Sequence, residues 1–151
     1  MFGPDRQLGS HAPWGDGTIY YDVAGCCGAN QRISKNEPDA SKYKGQWNHY
    51  AFVKDGTYTA IYQNGDLFHD SGADAKDPLG AITEVTFGAD AGGGGSINAL
   101  LDEIGVWDQA LSQAAIQSVM ETGVVPEPST ILLLLIALAS LGTLARRHGI
   151  G

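Results

Sequence analysis

Trp47-Asn48-His49-Tyr50-Ala51-Phe52-Val53-Lys54, then Asp55-Gly56, then Thr57 to Gln63 with Tyr58, Ile61 and Tyr62, then Asn64-Gly65, then Asp66-Leu67-Phe68-His69-Asp70 is the stretch whose reading decides the fold class. Its apolar runs are rich in aromatic and β-branched residues, which suit a pleated, half-buried surface. Asp-Gly and Asn-Gly between such runs signal tight hairpins, because both central residues of a type I′ turn need positive φ. The stretch therefore predicts a three-stranded antiparallel meander.

Working outward, Thr18-Ile19-Tyr20-Tyr21-Asp22 and Gln31-Arg32-Ile33-Ser34 are predicted strands around a Gly25-Cys26-Cys27-Gly28 loop. Downstream, Glu84 to Phe87 predicts a short strand and Leu100 to Trp107 a longer one. The glycine run Gly92 to Gly95 lacks the Gly-Lys-Ser/Thr ending of a phosphate-binding loop and reads as a connector. One helix interrupts the β pattern. Ser112 is a suitable N-cap, Ile116, Val119 and Met120 share a face, and Gly123 stands where a helix-terminating glycine belongs. With 21 glycines in 151 residues, the composition agrees with a turn-rich, all-β domain over residues 1–123, followed by a tail over residues 124–151.

The segment before Val125 carries 16 acidic against 7 basic residues, a net charge of −9. So acidic a surface repels phosphate backbones, which excludes nucleic acid as a partner class. It suits a neutral glycan or a divalent cation. Met1-Phe2-Gly3-Pro4-Asp5-Arg6 is not the opening of an export leader. Since the tail speaks for export, the expectation is that a leader and N-terminal strands precede Met1 in the natural protein.

In the tail, Ile131 to Ala145 reads ILLLLIALASLGTLA, with no charge and no polar face. Fifteen helical residues would span roughly 22 Å, at the short limit for a bilayer. A single transmembrane helix over residues 130–145 is predicted. Arg146 and Arg147 directly after it stay cytoplasmic by the positive-inside rule, which places the globular segment across the membrane. Before it, Val125-Pro126-Glu127-Pro128-Ser129-Thr130 cannot be continuous helix and offers an extended strip for a processing enzyme.

Pro126-Glu127-Pro128, a short Leu-rich span and Arg146-Arg147 together resemble the PEP-CTERM sorting signal of Gram-negative bacteria. The resemblance implies an exosortase as partner, a membrane-embedded cysteine protease or transpeptidase, with release or transfer to the cell surface or extracellular matrix. The globular part resembles the laminin-G-like branch of the concanavalin A-like lectin/glucanase superfamily. The residues that carry this likeness are Trp47-Asn48-His49-Tyr50-Ala51, Ile61-Tyr62-Gln63-Asn64-Gly65, Leu101-Asp102-Glu103-Ile104-Gly105-Val106-Trp107 running into Ala110-Leu111-Ser112, and the earlier His11-Ala12-Pro13-Trp14-Gly15-Asp16-Gly17. It implies an antiparallel jelly-roll sandwich.

A hydrolase of that superfamily would need carboxylates paired on one strand, such as Glu-x-Asp-x-x-Glu. Asp102 and Glu103 are neighbours on a predicted strand and so point to opposite faces. Asp102 is the candidate for a calcium ligand, set against a purely loop-supporting role. His11, His49, His69 and His148 are scattered, with no metal-ligand spacing, and His49 is expected as a half-buried strand residue. Cys26 and Cys27 could form a vicinal disulfide in an oxidising exterior, pair with cysteines upstream, or remain free thiols. Among Trp14, Tyr20, Tyr21, Trp47, Tyr50, Tyr58 and Tyr62 most are expected to fill the core. Trp14, Asp16 and Tyr20 are the candidate ligand-binding residues, with Trp14 in an exposed turn able to stack on a sugar ring. The expectation is an exported, non-catalytic binding or adhesion module for polysaccharide or matrix. Its rival is part of a surface glycan hydrolase whose catalytic strands lie upstream.

Overall fold

The computed structural model describes residues 7–75, 77, 81–90 and 93–123. Two three-stranded antiparallel sheets form the body, with a short helix behind the second. The first sheet runs β1 (Leu8–His11), β2 (Thr18–Val23), β3 (Arg32–Asn36), and the second β4 (Tyr50–Asp55), β5 (Tyr58–Gln63), β6 (Asp66–Asp70). Strand β1 had no counterpart in the sequence reading, because four residues ending in a turn phrase leave too short an alternation to detect.

The meander forms between the expected turns, but the two turns differ. At the second, Gln63 faces Asp66, and Asn64 and Gly65 have φ of 52° and 82°, the pattern of a type I′ turn. At the first, Asp55 already pairs with Tyr58, so the central residues are Gly56 and Thr57. Only Gly56 has positive φ there, at 51°, as a type II′ turn requires. A register shift between Ile61 and Tyr62 interrupts the β5–β6 ladder.

The core follows from the side-chain alternation along β2 and β5. Ile19, Tyr21 and Val23 point from the first sheet onto Ile61 of the second, with Leu8, Ile33, Tyr50, Phe52 and Phe68 around them. Tyr21 and Phe52 meet across the two sheets with ring centroids 5.5 Å apart. On the other face of the second sheet, Ala60 and Tyr62 pack with Val53 and with Ile116 of α1 (Gln113–Thr122). Strand β5 is thus covered on both sides. Ser112 caps the helix by accepting from Ala115 N–H at 3.3 Å, and Gly123 ends it at φ 74°. Gln113 and Gln117 each donate to the Gly65 carbonyl at 3.1 Å, so the helix also holds the hairpin turn.

The two downstream strands are not formed. Val85 makes one isolated bridge, and Leu100 to Trp107 is irregular. No paired strand among the described residues takes up the backbone groups of that segment, so its side chains stay exposed: Leu100 at 80%, Val106 at 57%. The predicted membrane helix lies outside the described residues. Among these, no helix is long and apolar enough to cross a membrane.

Candidate functional site

The face of the first sheet that turns away from the core carries a connected polar and aromatic group. If Ile19, Tyr21 and Val23 point inward, Thr18, Tyr20 and Asp22 must point outward. The register sets His11 and Ser34 on either side of Tyr20, and Gly9 and Arg32 on either side of Asp22. Asp22 is fully buried even so. Arg32 grips it with two bonds, Nε to Oδ1 at 2.5 Å and Nη2 to Oδ2 at 2.8 Å, and His11 Nε2 lies 3.3 Å from Oδ2. Burial works against the charged form of Asp22. The bonds from Arg32 and His11 outweigh it, and the pKa falls below the ordinary carboxylate value.

Beside this clamp stands the turn at residues 14–17. Trp14 N–H donates to the Thr18 carbonyl at 2.9 Å and Gly17 N–H to the Trp14 carbonyl at 2.8 Å. Gly17 is required here: its φ is 81°, and an added Cβ would sit 2.8 Å from the Glu37 carbonyl oxygen. Asp16 accepts from Thr18 N–H at 2.8 Å and from the Tyr20 hydroxyl at 3.2 Å. The Thr18 N–H bond, first among its causes, lowers the Asp16 pKa and keeps the carboxylate charged. The turn leaves Trp14 49% exposed. The His11 ring stands edge-on to both neighbours, 5.3 Å from Trp14 and 6.1 Å from Tyr20. Arg32 completes the group, its guanidinium carbon 4.6 Å from the centre of the Tyr20 ring.

The structure therefore brings Trp14, Asp16 and Tyr20 together on one surface. It adds His11, Asp22 and Arg32, which the sequence reading missed. A signal existed: Asp22 has the same strand parity as Tyr20. Cys26 and Cys27 are bonded to each other, and Cys26 Sγ accepts from Arg32 Nη2 at 3.0 Å. A cavity of about 130 Å³ beside Arg32, lined also by Tyr21, Asn30, Thr59 and Asp74, is well below the ~300 Å³ of common ligand pockets.

Asp102, the candidate calcium ligand, stands apart from this group. Its carboxylate accepts from Glu103 N–H at 2.8 Å, in an exposed, irregular segment where Glu103 has φ 49°. The two are not on a strand, so the opposite-face argument for them lapses. No group of three His, Cys, Asp or Glu able to hold a metal ion occurs among the described residues. His49 is half-buried just ahead of β4, and its Nδ1 has no hydrogen-bond partner among the described residues. Of the other aromatics, Tyr21 and Tyr62 are buried, Tyr50 and Tyr58 pack at the core edge, and Trp47 is exposed. The sorting residues Pro126, Glu127, Pro128, Arg146 and Arg147 lie outside the described residues.

Comparison with known proteins gives two family matches. The model of the laminin G type within the concanavalin A-like lectin/glucanases superfamily matches residues 9–117, and the PEP-CTERM protein-sorting motif matches residues 124–148. No curated protein matches the chain. Among solved structures, an S-layer domain-containing protein (residues 221–444) from Clostridium thermocellum ATCC 27405 is similar at 19% identity and a TM-score of 0.40. The match covers 69% of this chain, which spans about half (52%) of that one. Two antiparallel sheets with a short helix, and family matches over both parts, make this chain an exported surface protein of the concanavalin A-like lectin/glucanases superfamily that carries a PEP-CTERM sorting motif.

Proposed function

We propose that the chain is anchored in the membrane by a single helix with a cytoplasmic C-terminus, is processed there by an exosortase, and binds carbohydrate or another matrix component without turning it over. The jelly roll its family implies would serve as the scaffold for this face. The observation that carries the reading is the surface of Trp14, Asp16 and Tyr20, which combines a half-exposed indole with a charged acceptor beside it. Sugar rings present one apolar face and a rim of hydroxyls, so an aromatic plane flanked by fixed acceptors matches them. The non-catalytic part rests on how the carboxylates are used. Asp22 is buried between Arg32 and His11, and both Asp16 oxygens already accept bonds. These bonds support a binding use of the two carboxylates over a catalytic one.

The test is retention of the detergent-solubilised full chain on a panel of insoluble polysaccharides, with reducing ends assayed in parallel. Retention without release is expected, weakened up to about tenfold by Trp14→Ala, in keeping with the value of an aromatic stacking contact. Sustained release of reducing ends, or no retention on any polymer, would overturn the reading.

A further inference from the structure

The loop between β2 and β3 holds an unusual run of backbone. Ala24, Gly25, Cys26 and Cys27 have φ of 54°, 88°, 77° and 73°. For each non-glycine residue this left-handed region costs roughly 1–2 kcal/mol, so such a run persists only where other bonds dictate it. Two devices do so here. Gln31 ties the loop through its amide, donating to the Ala24 carbonyl at 2.5 Å and accepting from Gly28 N–H at 2.8 Å. The second device is the covalent bond between the adjacent cysteines. Cys26 is half-buried against Arg32, whereas Cys27 faces solvent.

We propose that Cys26–Cys27 is a thiol–disulfide exchange site open to dithiols, and that its redox state sets the Arg32 clamp beneath the Trp14–Tyr20 face. A thiolate of the dithiol attacks the exposed Cys27 sulfur, and Cys26 leaves as thiolate and takes up a proton. The second thiol of the reagent then closes the reagent's own disulfide, releasing Cys27 as a thiol. The reagent has given two electrons and two protons, and the protein holds two thiols. Without the covalent bond, residues 24–27 are free to leave the left-handed region, which carries Cys26 Sγ away from Arg32. The guanidinium is shared between that sulfur, Asp22 and the Tyr20 ring, and Tyr20 adjoins His11, which adjoins Trp14. Each link is a direct contact, so a shift at Arg32 reaches the exposed indole.

The experiment uses the full chain in detergent with Trp47→Phe and Trp107→Phe, both exposed positions, so that Trp14 is the emitting residue. Dithiothreitol is added, and alkylation followed by intact mass counts the thiols. Two thiols are expected, with a shift in Trp14 emission that reverses on reoxidation. Cys26→Ser/Cys27→Ser should show the reduced-state emission and ignore dithiothreitol. Arg32→Lys keeps the charge but lacks the planar fork, so its disulfide should reduce without moving the emission. Only the last readout rests on the binding reading: polysaccharide retention should fall on the order of fivefold on reduction. Failure to alkylate, or full alkylation with unchanged Trp14 emission in the otherwise native chain, would overturn the proposal. Emission that follows the redox state while no polysaccharide is retained in either state would sink the binding reading and leave the exchange site standing.

Discussion

A carboxylate with no solvent exposure, on the sheet face opposite the core, calls for a reason, and at Asp22 the reason is electrostatic. Burial penalises its charge, and bonds from Arg32 and His11 more than offset that penalty. Its folded pKa lies below the unfolded value, so the stabilisation is fully present above the ordinary value of 3.8 and is lost as pH falls through the folded pKa. Asp22→Asn should cost about 2–3 kcal/mol near neutrality. That is less than the ~3–5 of a wholly buried pair, because Arg32 keeps 27% exposure and can rehydrate. Thermal unfolding of both chains from neutral to acid pH checks this. The gap between them should narrow below about pH 4, and a gap constant with pH would refute the linkage. That Trp14, Asp16 and Tyr20 lie near one another was legible in the sequence because a turn phrase and an alternation are local. The Asp22–Arg32–His11 clamp was not, since it depends on which residues the register sets side by side.

The same division holds for elements. The β4–β5–β6 meander was legible because its turns announce themselves, and α1 because cap, apolar face and terminal glycine sit within one short window. Leu100 to Trp107 has an equally good strand composition, yet it is irregular. Periodicity states a readiness to pair and cannot supply the neighbour. The turn at Asn64-Gly65 carries more than the hairpin, because its carbonyl receives both glutamines of α1. Gly65 has φ 82°, and an added Cβ would lie 2.9 Å from Gln117 Cγ and 3.3 Å from Met120 Cε. Gly65→Ala should therefore destabilise by about 1–3 kcal/mol, through backbone strain and through loosening of the helix. Gly45 has φ 66° but open space around it, so Gly45→Ala isolates the backbone cost. Chemical denaturation of the two variants should show the larger loss at Gly65. Equal losses would mean that the helix contact contributes nothing.

At the scale of the whole molecule, two parts follow different physics. The domain depends on contacts distant in sequence, whereas the tail is written locally as a Pro-Glu-Pro motif, an apolar run and two arginines. The tail was therefore legible from residues alone, and a sorting motif matches it at residues 124–148. Under the proposed reading, a helix over the fifteen apolar residues would span about 22 Å, short against about 30 Å of hydrocarbon, which would favour a processing intermediate over a permanent anchor. In the proposed anchor, Pro126 and Pro128 would keep the preceding strip from joining the helix, and Arg146 with Arg147 would hold the far end in the cytoplasm. These roles separate by mutation. Replacing Pro126, Glu127 and Pro128 with Ala should preserve insertion and block processing, whereas Arg146→Glu with Arg147→Glu should scramble orientation before processing can occur. Mass spectrometry of the chain recovered from the cell surface decides the matter. A mature end upstream of Ile131 is expected, and an intact Arg146–Gly151 end on surface-exposed protein would show instead that the helix remains as an ordinary single-span anchor.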